Sequence, residues 1–221
     1  MTAEQLAPRV LNELRTLPEG LAELIAKYLV AAERALEMED IPAALAFVQA
    51  AKARAGRVAA VREAVGVVAY LAGDYAEAAA ELRAVRRMTG SDEYLPMLAD
   101  CERGLGRPQK ALALVKEGLT SLASARTRDP ERKVELLLVG AGARADMGQV
   151  DAAIVMLQVP ELTRLHPGTP RARLQYAYAE LLETAGREEE AVEWMTKAAE
   201  SDVEGATDAA DRVGVDDITF I

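Results

Sequence analysis

Gly73-Asp74-Tyr75-Ala76-Glu77-Ala78 decides the fold. Ahead of it runs Val65-Gly66-Val67-Val68-Ala69-Tyr70-Leu71-Ala72, and behind it Ala79-Ala80-Glu81-Leu82. Small and apolar residues recur at helical spacing on both sides of a Gly-Asp turn. That spacing predicts a helix that ends, a tight turn, and a second helix packed back on the first. The pattern returns as Gly106-Arg107-Pro108-Gln109-Lys110-Ala111, Gly148-Gln149-Val150-Asp151-Ala152-Ala153 and Gly186-Arg187-Glu188-Glu189-Glu190-Ala191. A degenerate copy, Glu39-Asp40-Ile41-Pro42-Ala43-Ala44, comes first. The closing alanines, 44, 78, 111, 153 and 191, are 34, 33, 42 and 38 residues apart. A unit of this length that repeats five times predicts an all-α solenoid of antiparallel helix pairs.

Composition agrees. Apolar residues make up 51% of the 221 positions, but aromatics only 4%. Such a chain buries small side chains between closely spaced helices. No segment alternates strictly, and strong helix formers dominate. The net charge of −10 argues against general binding to nucleic acid or to an anionic membrane. The charge is uneven: residues 1–50 carry 4 basic and 8 acidic groups, residues 51–133 carry 15 and 11, and residues 134–221 carry 7 and 17. Cys101 stands alone, which excludes a disulfide framework and a cysteine-based metal site. The start is acidic with no long apolar core, and no run of about 18 apolar residues occurs, so a soluble cytoplasmic protein is expected.

Taken in order, residues 1–24 predict an N-terminal helix, with Pro8 in its first turn, and the lead-in to the first repeat. Thr16-Leu17-Pro18-Glu19 has capping-box spacing and opens a long helix to about Met38. The solenoid covers 25–200, with repeats near 25–58, 59–91, 92–125, 134–162 and 172–201. Gly56 is expected to take a left-handed cap after the first. Asp129-Pro130 reads as a cap and first helical residue, Pro160 cuts a helix short, and 161–169 reads as an irregular linker. Thr169-Pro170 is expected to cap the helix that follows. The acidic tail, 202–221, can form a helical turn at 207–212 and ends in an apolar knob. Ile218, Phe220 and Ile221 either cover the last pair or form a partner motif.

The repeat resembles the tetratricopeptide repeat (TPR). With Ala78 counted as position 20, the second copy begins at Ala59 and places Gly66 at position 8, Gly73 at 15, Tyr75 at 17 and Leu82 at 24. Ala99, Gly106 and Ala111 fit in the third copy, Ala141, Gly148 and Ala153 in the fourth, and Ala179, Gly186, Ala191 and Ala198 in the fifth. The first copy keeps Ala32, Ala44 and Ala51 without the turn glycine. Small residues at positions 8 and 20 let the two helices of a pair approach closely.

The resemblance implies that the first helices of successive pairs line a concave face for a protein segment. Carried over, that face holds Glu63, Val67, Tyr70 and Leu71, then Asp100 and Arg103, then Leu138, then Tyr176 and Glu180. This lining mixes apolar and acidic groups, so an apolar or basic partner segment suits it. The Lys and Asn clamp with which some TPR proteins hold a C-terminal carboxylate is absent. The chain is therefore expected to be a non-catalytic interaction scaffold. An alternative is an RNA-contacting or regulatory protein that uses the basic middle, where Arg83, Arg86 and Arg87 share one helix face.

No catalytic residue, metal site or cofactor is expected. His166 lies beside Pro167 in a linker, with no second histidine or cysteine for a metal. Gly140-Ala141-Gly142-Ala143 follows a helical run and lacks a downstream Lys-Ser/Thr, so it reads as helix packing rather than as a phosphate loop. Cys101 reads as a small buried hydrophobe.

Overall fold

The computed structural model describes residues 6–214, and every regular element among them is a helix. They fall into two compact units, Met1–Gly106 and Arg107–Ile221. The apolar knob with Ile218, Phe220 and Ile221 lies outside the described residues.

The first unit holds α1 (Pro8–Leu14), α2 (Glu19–Glu37), α3 (Ile41–Ala55), α4 (Ala59–Leu71), α5 (Tyr75–Thr89) and α6 (Leu95–Gly104). Each of α2 to α6 packs on its neighbour in sequence, while α1 lies across α2 and α4. The α2–α3 and α4–α5 turns share one chemistry. Gly73 is left-handed at φ 77°, and the Asp74 amide reaches back to the Ala69 carbonyl at 2.9 Å. That backward bond satisfies a carbonyl that the helix end leaves unpaired. The degenerate first copy makes the same turn without glycine. Glu39 takes φ 57°, and the Asp40 amide bonds to the Ala35 carbonyl at 2.8 Å. A side chain in that region costs about 1–2 kcal/mol. Asp40 and Asp74 then cap the next helix by accepting from the amides of Ala43 and Glu77, each at 3.0 Å.

Close packing explains the small residue at Gly66. A methyl group there would come within 2.8 Å of Leu82 on the partner helix of the pair. Carboxylates tie neighbouring helices together. Glu81, almost fully buried, accepts from Lys52 on α3 at 2.9 Å and from Arg62 on α4 at 2.7 Å. Glu77 also meets Lys52 and Gln49. Burial alone would raise its carboxyl, but the hydrogen bonds from those two residues outweigh it and hold the group below its usual range.

The second unit holds α7 (Pro108–Ser124), α8 (Pro130–Ala145), α9 (Val150–Leu157), α10 (Glu161–Arg164), α11 (Thr169–Thr184), α12 (Glu188–Ser201) and α13 (Ala209–Arg212). α8 packs on α7, α9 and α11, and α11 packs most extensively on α12, with α13 against α12. Leu137, Ile154, Leu157, Leu174 and Leu182 form its main core.

Four local expectations change. The Thr16 hydroxyl donates back to the Glu13 carbonyl at 2.7 Å instead of capping α2, which begins after Pro18 with no side-chain cap. Gly56 sits at φ −65°, so the first repeat does not end in a left-handed residue there. Pro160 does end α9's path, but residues 161–164 form the short α10 rather than irregular linker. The Thr169 hydroxyl does not cap α11; it is hydrogen-bonded to Glu204.

Candidate functional site

In the first unit, the face made by α4 and α6 brings the expected residues together in two polar clusters. Tyr70 on α4 donates to Asp100 on α6 at 2.6 Å, and Arg103 pairs with the other oxygen of Asp100 at 2.8 Å. Burial first, and the Asp100 carboxylate second, push the Tyr70 phenol well above its usual range. It therefore stays protonated and serves as a fixed donor. The Tyr70 ring also meets Tyr75 edge-on, with centroids 5.9 Å apart.

Glu63 sits in the second cluster, and one of its partners comes from ahead of the repeats. Arg9 of α1 grips it with two parallel bonds of 2.9 and 2.7 Å, and Tyr94 donates to it at 2.5 Å. Leu6, just ahead of α1, and Val10 and Leu14 within it pack into the cluster that holds Leu29, Ala60 and Val61. The Glu13 carboxylate of α1 accepts from the Ala60 amide at 2.7 Å, at the start of α4. Val67 lines an apolar cavity of about 170 Å³ beside α1. Leu71, at the end of α4, is half exposed.

In the second unit, Leu138 of α8 and Tyr176 of α11 line a cleft of about 420 Å³ with Arg173, Ala177 and the 206–208 turn. Arg173 is paired with Glu135 on α8. Tyr176 and Glu180 are engaged by the chain's own C-terminal segment. Arg212 of α13 donates to the Tyr176 hydroxyl at 3.1 Å, to Glu180 at 3.3 Å and to Glu183 at 2.6 Å. Its guanidinium also lies over the Tyr176 ring, 5.5 Å from the centroid.

Arg83, Arg86 and Arg87 do share α5, but they are not three open charges. Arg83 is paired with the buried Glu102 on α6, and Arg86 with Asp92 at 2.9 Å; Arg87 is exposed. His166 is exposed. Gly140 lies inside α8 against Met156 and Val115, as a packing residue. Cys101 is buried, and its thiol is pushed up to about 12, first by burial and then by the neighbouring Asp100. Among the described residues no cluster of His, Cys, Asp and Glu could hold a metal ion, and no helix is long and apolar enough to cross a membrane.

Sequence reasoning missed Arg9, Tyr94 and Arg212, because their partners lie 54, 31 and 36 residues away. One signal was available. Leu6, Val10 and Leu14 form an i, i+4, i+8 stripe, which marks α1 as a helix with something to bury.

Comparison with solved structures settles the architecture. A thermophilic TPR protein of Thermus thermophilus aligns with a TM-score of 0.64 at 19% identity, covering 86% of this chain and 97% of its own. The chain has the tetratricopeptide-repeat fold. The TPR-like repeats of a putative kinesin light chain from Podosopora anserina align with a TM-score of 0.61 at 19% identity, over 79% and 93% of the two chains. No family model and no curated protein sequence matches the chain. Glu63 and Tyr70 lie on α4, Asp100 on α6, and Tyr176 and Glu180 on α11. Arg83 and Arg86 lie on α5.

Proposed function

We propose that the chain is a non-catalytic scaffold whose first-helix faces hold an apolar or basic segment of a protein partner. One observation carries this reading. Val67, Tyr70, Leu71, Asp100 and Arg103 are partly or largely exposed side chains on α4 and α6. Tyr70 and Arg103 are oriented by Asp100 rather than absorbed into the core. A held tyrosine and arginine lose little further freedom on binding, and these residue types dominate energetic hot spots. The commitment of Arg83 and Arg86 to carboxylates weighs against the basic middle as an RNA contact.

The test is affinity capture from the native cells, with the bound protein identified and then purified for direct binding. Tyr70→Ala together with Asp100→Ala should weaken that complex at least ~30-fold, the effect of losing about 2 kcal/mol at a hot spot. An unchanged affinity, with both variants folded by circular dichroism, would remove the first-helix face from the function.

A further inference from the structure

We propose that the part of the α2–α4 groove in the first unit that no described residue fills docks a basic–apolar segment of a protein partner, with one aliphatic side chain in the cavity and one cation on Glu33. The proposal rests on the scaffold reading and names the class of partner it would take.

The chain's own residues 6–14 display what this groove accepts. An aliphatic stripe, Leu6, Val10 and Leu14, goes down into it, and Arg9 closes on an acidic residue at its edge. Beside Leu6 and Val10 no described residue fills the groove. It continues as the cavity of about 170 Å³, walled by Leu36 on α2, Val48 on α3, and Val67 and Val68 on α4. An aliphatic-lined space of about 150 Å³ is large enough to take up benzene, so this one has room for a leucine or methionine side chain.

The charge at the rim points the same way. Glu33 lines the cavity, and among the described residues no ion pair reaches it. Its carboxyl lies above the usual range, through burial first and the repulsion of Glu37 second. Two like charges one helical turn apart are mutually unfavourable, and a cation between them offsets that repulsion. Glu63, the other carboxylate of the cavity, is already matched by Arg9 and Tyr94. The half that no described residue fills therefore repeats the chemistry of the half that α1 fills, an aliphatic floor with an acidic edge, but without a described arginine on it.

Three labelled twelve-residue peptides test this by fluorescence anisotropy on the full chain: one of alternating leucine and arginine, one with the arginines changed to glutamate, and one with the leucines changed to serine. The leucine–arginine peptide should bind at least ~10-fold more tightly than the other two, a margin of about 1.4 kcal/mol. Glu33→Lys and the cavity-filling Val67→Phe should each abolish that preference, while Glu193→Lys, an equal charge change in the second unit, should leave it intact. Glu33→Lys changes an exposed side chain, so it carries the test if Val67→Phe fails to fold. Equal binding of the three peptides, or indifference to Glu33→Lys, overturns the proposal. It is also overturned if binding appears only after residues 1–5 are deleted, because the chain's own N-terminus is then the occupant. If the peptides fail while a captured partner still depends on Tyr70 and Asp100, the groove proposal falls and the scaffold reading stands.

Discussion

Towards each end of the described residues an arginine meets acid and tyrosine side chains, but the two do so in different surroundings. Arg9 makes a two-pronged grip on one carboxylate whose side chain is 14% exposed, with Tyr94 bonded to the same group. Arg212 divides itself among Tyr176, Glu180 and Glu183, and its two carboxylates are 51% and 58% exposed. Behind Arg9 stands an apolar seam that includes the buried Leu14; behind Arg212 the buried contact is Ala209. Water weakens a charge pair several-fold relative to a partly buried one. The same residue types therefore make a structural joint at one end and a loose tether at the other. Neither α1 nor α13 is long enough to be helical alone, so each exists because of what it packs on.

The sharpest way to break the comparison is to cut the apolar backing on each side. Leu14→Ala should cost about 2–4 kcal/mol, because it opens a cavity in the first unit's core. Val213→Ala, beside α13, should cost about 1 kcal/mol or less, because Val213 is only half buried. Urea unfolding of the two variants measures both. Equal losses would mean that α13 is as much part of the solenoid as α1.

A smaller contrast isolates the charges. Glu63→Gln keeps the shape but removes the anion between Arg9 and Tyr94, and should cost about 1.5–3 kcal/mol, the range for hydrogen bonds to a charged group. Glu183→Gln should cost about 0–1 kcal/mol, as exposed ion pairs do. Salt separates them further: about 0.5 M sodium chloride should erase the Glu183 effect and leave most of the Glu63 effect. If both effects vanish in salt, the burial of Glu63 does not protect its pair.

The contrast also marks what could be read from the amino acids alone. The pairs were legible because their rule is local: a left-handed residue, an aspartate and an alanine at fixed offsets recur whatever the rest of the chain does. Even Glu39 kept its place in that pattern without being glycine. Tyr70 and Asp100 were legible only as positions carried over from the TPR resemblance, and the structure brings their side chains into one hydrogen bond. Their partners were not legible, because an ion pair depends on which helix ends up beside which. The basic middle shows this most clearly. Counting charges suggested an open patch, yet Arg62 meets Glu81 and Arg83 meets Glu102, each 19 residues on. That equal spacing was present in the sequence, but it becomes meaningful only once the α4–α5 and α5–α6 contacts are known.

The smallest expected effect concerns how the tether at the C-terminal end is held. Asp202 accepts from the amides of Ala206 and Thr207 and from the Thr207 hydroxyl at 2.8, 2.7 and 2.6 Å, closing the turn that leads into α13. Burial alone would raise its carboxyl, but these bonds, that of the Thr207 side chain first, outweigh it and hold the group below its usual range. A carboxyl lowered in the folded state contributes stability that is fully present above its unfolded value of about 3.9 and is lost as pH falls through the folded value. Asp202→Asn removes that contribution at every pH. The two proteins should therefore differ at pH 7 and converge below about pH 4, as the wild-type carboxyl becomes neutral too. Trp194, the only tryptophan, packs in the cluster that contains Ala209 and Val213, so its fluorescence reports this turn directly. A difference that persists unchanged down to about pH 3 would mean that the shape of the Asp202 side chain, rather than its charge, holds α13 in place.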